Sequence, residues 1–194
     1  MPWPVLQAPF EPCNHVRGGL GLDSVTHHLG FLTIHHDQQG YSGGYLVTNA
    51  WGRPLEFRLT SPVTPNKVQQ LLYGPTLRPY LCSDLIGKTL IDKAGSAATL
   101  IITDNDAALE LRNQSNTPVA WLAPMDHPRV AELSATVVAK TKSYALLAHP
   151  KYPGDVTAIK DILHQTDVTD LSEPFARIRE ALAEARKMGA LKAA

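Results

Sequence analysis

The chain has 194 residues, 44% of them hydrophobic and 19% charged, and its 18 basic and 18 acidic side chains balance to a net charge of +0. That length and composition suit one globular domain, 1–194, with a sizeable core, and they exclude a disordered chain. The balanced charge supplies no overall positive field to hold nucleic acid, and no apolar run approaches the length of a membrane span, so neither partner is expected.

Residues 1–28 read as an N-terminal extension, partly irregular. Met1 to Pro12 is rich in proline and lacks the basic start and continuous apolar stretch of a secretory signal. Gly18-Gly19-Leu20-Gly21 has no strand before it and reads as a flexible stretch. Cys13 and Cys82 are too widely spaced for a disulfide framework or a metal knuckle, so reduced thiols in a cytoplasmic protein are expected.

From Phe31 to Val63 two similar turns, Asp37-Gln38-Gln39-Gly40 and Asn49-Ala50-Trp51-Gly52, punctuate three runs of strand character. Asp or Asn at the first position bonds its side chain to the backbone two residues on, and the closing glycine accepts a left-handed conformation. The runs Phe31 to His36, Tyr41 to Thr48 and Arg53 to Thr60 therefore predict a three-stranded antiparallel meander. In the third, Leu55, Phe57 and Leu59 alternate with Glu56, Arg58 and Thr60, which predicts one buried and one wet face. The first run is less regular and suits a strand covered on both sides. Gly43 and Gly44 remove side chains where another backbone, a large aromatic or a ligand can approach, with close packing the favoured reading.

Beyond Pro62 the period lengthens. Asn66 or Thr64 can cap a short helix that Gly74-Pro75 stops, and Leu77, Leu81, Leu85, Ile86 and Leu90 predict an amphipathic helix over about Thr76 to Lys93. Ala98 to Thr103 predicts a buried strand, Ala107 to Leu111 a short helix, and Pro118 to Leu122 a second strand, which together make a parallel βαβ unit. Leu133 to Lys140 and Tyr144 to His149 suit a hairpin, and Asp155 opens a helix through Leu163. Ser172 is placed to cap the clearest helix, in which Phe175, Ile178, Leu182, Ala185 and Met188 form a stripe for core packing or for a subunit interface. The fold class is α+β: meander, packed helices, βαβ unit and amphipathic C-terminal helix.

Two constellations offer chemistry. Among eight histidines, His27-His28 and His35-His36 are paired, and on a strand His35 and Asp37 share a face, which with His27 or His28 offers a metal set, against the simpler reading of surface or hydrogen-bonded structural histidines. Asp104 and Asp106 follow the apolar run Leu100 to Thr103, at a strand end where open α/β sheets bind ligands, and two such carboxylates can hold a magnesium-type cation against phosphate. The pattern Leu100 to Ala107 faintly resembles the paired-aspartate element of Toprim-type nucleic-acid enzymes, which also need an upstream acidic strand end. Asp104 as a helix cap, with Asp106 complementing the dipole, explains the same residues more simply. No Gly-x-Ser-x-Gly elbow or phosphate-binding Gly-Lys loop is present, and Cys82 within a helix reads as a buried thiol.

Gly44 to Thr48, Arg53 to Phe57 and Leu72-Tyr73-Gly74 with the Leu77 to Ile91 helix resemble an uncharacterised bacterial family. The resemblance implies no activity and no site residues. The expectation is therefore a non-catalytic accessory or scaffolding protein that binds another protein or itself as a homo-oligomer, without a cofactor, through Trp51 and the stripe residues Phe175, Ile178 and Leu182. The alternative is a magnesium-type enzyme acting on a phosphate-containing substrate through Asp104 and Asp106, with His35 and Asp37 as further metal candidates.

Overall fold

In the computed structural model, which describes the strand Val5–Gln7 and residues 27–188, the strands join into one mixed eight-stranded sheet of order β1-β4-β3-β2-β5-β6-β8-β7. The meander forms as β2 (Leu29–Asp37), β3 (Gly40–Thr48) and β4 (Pro54–Thr60), with antiparallel registers such as Phe31 opposite Leu46 and Leu46 opposite Phe57. Both turns take the expected form. Asp37 Oδ1 accepts from Gln39 N at 2.8 Å, Asn49 Oδ1 accepts from Trp51 N at 3.1 Å, and Gly40 and Gly52 sit at φ 113° and 75°. Within the N-terminal extension, β1 (Val5–Gln7) adds an antiparallel edge beside β4; Cys13 and Gly18 to Gly21 lie outside the described residues.

The βαβ unit is joined to the meander. β5 (Leu100–Thr103) lies parallel to both β2 and β6 (Val119–Pro124), so three parallel strands occupy the middle of the sheet, and the crossover between β5 and β6 is a 3-10 helix, Asp106–Gln114. The hairpin follows as β7 (Val137–Lys140) and β8 (Tyr144–Ala148). Its first run is shorter than expected, because residues 129–136 are taken up by α4 (Arg129–Glu132) and a 3-10 turn, Ser134–Thr136.

Burial on both faces explains the apolar middle strands. On one face, Leu32, Ile101 and Trp121 pack with Cys82, Ile86 and Leu90; on the other, Phe31, Ile102 and Leu122 pack with Ile159, Phe175 and Ile178. The first layer comes from α2 (Leu77–Pro79), a π-helical segment (Tyr80–Gly87) and α3 (Lys88–Asp92), continuous as expected but wider in the middle. The second comes from α5 (Asp155–His164) and α6 (Glu173–Lys187).

Gly43 and Gly44 mark where both layers touch β3. A Cβ on Gly43 would stand 2.3 Å from Ile86 Cγ2, and one on Gly44 would stand 2.5 Å from Ile178 Cγ2. Close packing by helices, one on each face, is thus the use of these glycines.

Three local expectations are corrected. The Glu56 and Arg58 side of β4 is covered, because Glu56 accepts from Gly95 N at 3.1 Å, Ser96 N at 2.7 Å and Arg58 Nε at 2.5 Å. Ser172 occupies the N-cap of α6 without capping it; its amide and hydroxyl instead donate to Asp170 Oδ1 at 2.8 and 2.6 Å. The cap of the crossover helix is Asn105, whose Oδ1 accepts from Ala107 N at 3.0 Å, and this frees Asp104 for another contact.

Candidate functional site

The carboxyl ends of the parallel strands carry the acidic residues singled out by the sequence. Asp104, immediately after β5, accepts from Thr33 Oγ1 of β2 at 2.8 Å and from Arg179 Nη1 of α6 at 2.7 Å. Asp106, in the first turn of the crossover helix, is held by Arg78 of α2 at 2.5 Å and Arg129 of α4 at 3.0 Å. On a continued strand positions 104 and 106 would share a face, but β5 ends at Thr103 and Asp106 already lies in the crossover helix, so the two carboxylates meet different layers: Arg179 belongs to α6, Arg78 and Arg129 to α2 and α4. Asp104 and Asp106 are therefore not brought together on one cation, and each carboxylate is paired with guanidinium groups instead. Among the described residues no group of three or more His, Cys, Asp and Glu is arranged to hold a metal ion.

The electrostatic states of the two aspartates differ. Burial raises the Asp104 carboxyl, and the Thr33 hydroxyl and Arg179 only partly offset it, so it stays above the usual carboxylate range. Burial also works to raise Asp106, but the hydrogen bonds and charges of Arg78 and Arg129 outweigh it and hold that carboxyl below the range.

His35 and Asp37 do share a face, with Nε2 and Oδ2 3.5 Å apart, but the same Oδ2 takes Arg186 Nη1 at 2.6 Å. His36 turns away and stacks on Tyr41, ring centroids 4.0 Å apart. His27 and His28 sit at the other end of β2, roughly 23 Å from His35 along an extended strand, where His27 meets Gln165 and Thr99 and His28 meets the Ala97 carbonyl. The two pairs cannot share an ion. Cys82 is fully buried, and burial pushes its thiol up to about 11, so it stays a neutral packing group.

The residues expected to touch a partner separate into two groups. Phe175, Ile178 and Leu182 are buried against the sheet of their own chain, with the Phe175 ring edge-on to Phe31 at 5.6 Å, so the subunit-interface reading of this stripe is corrected to core. Trp51 is exposed at the β3–β4 tip, and it does not fold over Gly43 and Gly44, where Ile86 and Ile178 already sit.

A larger apolar surface escaped the sequence reading. In α1 (Lys67–Tyr73), Val68, Leu71 and Leu72 are 63%, 71% and 79% exposed, and no residue of that helix is buried. Their i, i+3, i+4 spacing places them on one face. The helix is nonetheless well made. Asn66 Oδ1 accepts from Gln69 N and Gln69 Oε1 accepts from Asn66 N, each at 2.9 Å, a closed capping box. At its far end Gly74, at φ 51°, turns the chain, and Tyr73 packs on Tyr80 with centroids 4.6 Å apart. The available signal was the apolar spacing itself, which is normally taken as the side of a helix that faces its own core.

No family model and no curated protein matches this chain.

Proposed function

We propose that the protein is a non-catalytic accessory or scaffolding protein that binds another protein, and that the α1 face of Val68, Leu71 and Leu72 is its contact surface. The observation that carries this reading is a capped helix whose three aliphatic side chains, Val68, Leu71 and Leu72, all stand in solvent. Apart from the Tyr73–Tyr80 ring contact, the apolar side chains of this helix gain little burial among the described residues to offset the entropy of ordering it, whereas an amphipathic face laid into a partner's groove would supply that burial. Trp51 lies at the other end of β4, about 20 Å away along a seven-residue strand, and serves as a separate contact.

Native mass spectrometry of untagged protein, with wild type and the double variant Leu71→Glu/Leu72→Glu in parallel, tests this. Both side chains are exposed, so the variant keeps its thermal midpoint, while bound partner or higher oligomer is lost. If the variant retains every partner and the same subunit number as wild type, the α1 reading is wrong.

A further inference from the structure

The strand-end position of Asp104 has a use that the α1 surface does not absorb. Asp104 and Arg179 form the charged part of a cavity of about 250 Å³ on the α6 face, whose remaining walls are Leu122, Pro124, Tyr144, Ser172 and Phe175. A second cavity of about 190 Å³ shares Leu122, Tyr144 and Ser172 with it and continues among Leu146, Leu163 and Val168, with the Asp170 carboxylate, which accepts from Ser172, on its wall. Apolar walls with a few convergent polar groups, at the carboxyl ends of parallel strands, are the usual make-up of a small-molecule site.

The chemistry of the ligand follows from charge and hydrogen-bond capacity. Among the described residues Asp104 and Arg179 are the only charged side chains on the wall of the first cavity, and they cancel. An anionic head would gain the guanidinium but face the carboxylate, and a cationic head would meet the reverse. Like-charge juxtaposition disfavours both. Capacity remains on each partner. The single Thr33 hydroxyl proton can serve only one Asp104 oxygen at a time, although both lie 2.8 Å away, and a carboxylate has about four acceptor sites. Among the described residues Arg179 donates through Nη1 alone, and its side chain is half exposed. A neutral group with a donor beside an acceptor can therefore give its proton to Asp104 and accept one from Arg179.

We infer that this cavity binds an uncharged planar ligand with an apolar ring and an amide-type edge, the ring lying among Leu122, Pro124 and Tyr144 and the edge against Asp104 and Arg179. Longer substituents extend past Tyr144 into the second cavity. This separates the site from the cation chemistry that paired aspartates suggest, because Arg179 already neutralises Asp104.

Benzamide, benzoate and benzamidine share one shape and differ in charge, so titrating each into full-length, isotope-labelled protein and following the backbone amide spectrum tests the assignment. Benzamide is expected to shift the signals of Asp104, Leu122 and Tyr144 saturably, and to bind about tenfold or more tighter than either charged isostere. Asp104→Asn should move the preference towards benzoate, and Arg179→Gln towards benzamidine; the spectra themselves report whether each variant is folded. The assignment is overturned if folded wild type shows no saturable shift at these residues with any probe. It is also overturned if the three bind equally, or if the folded variants leave the order of preference unchanged.

Discussion

Asp104 and Asp106 stand two positions apart with opposite titration behaviour, and the difference can be measured. Asp106 has its pKa depressed in the folded state, so its contribution to stability is fully present above the unfolded carboxyl value of about 3.9 and is lost as pH falls through the folded value. Asp104 has its pKa raised, so its contribution is fully present below about 3.9 and is lost as pH rises through the folded value. In urea unfolding, the stability advantage of wild type over Asp106→Asn should therefore be larger at about pH 7 than at about pH 3, and that over Asp104→Asn should be smaller. The same trend for both variants would refute the opposed environments. Neither state could be read from the sequence. Asp-Asn-Asp after an apolar strand marks a strand end, but the arginines come from positions 78, 129 and 179, and only folding brings them there.

At the scale of elements, the decisive feature is how closely two helical layers approach β3. Ile86 and Ile178 occupy the space a side chain would fill at Gly43 and Gly44, and the chain around them cannot retreat without opening the core. Gly43→Ala and Gly44→Ala should each destabilise by about 1–3 kcal/mol through overpacking, seen as a lower denaturant midpoint at unchanged slope. A neutral effect at either position would mean that its helix shifts freely on the sheet. The glycine pair was legible as a place of close approach. What approaches was not, since Ile86 and Ile178 lie far away in sequence on separate helices. The α1 helix shows the converse: its cap and stop were legible in the sequence, but its apolar face was not singled out, and the direction of that face depends on where the rest of the chain lies.

The whole molecule is one sheet used from both sides. β2 pairs with β3 of the meander and with β5 of the βαβ unit, so the two parts share a strand rather than an interface. Far-UV circular dichroism and near-UV signals from the buried Trp121 should lose structure in one coincident transition. Two separated transitions would show that the parts fold as independent units. Among the described residues no helix is long and apolar enough to cross a membrane, in keeping with the short apolar runs of the sequence.

Local chemistry is what the sequence by itself determined: the α+β class, the two Asx-type hairpin turns with their left-handed glycines, the capped α1 and the parallel βαβ unit. The turns and the cap are decided within a few neighbouring residues by backbone sterics and side-chain hydrogen bonds, and the class and the βαβ unit by the order of hydrophobic periods along the chain. Tertiary structure decided which of those pieces share a core and which charges meet. It turned the Phe175 stripe inward, gave Asp104 and Asp106 to different arginines and left Val68, Leu71 and Leu72 in solvent. The physical reason is that burial and ion pairing depend on distance in space, and in this chain the partners are separated by tens of residues that only the sheet order β2-β5-β6-β8 brings together.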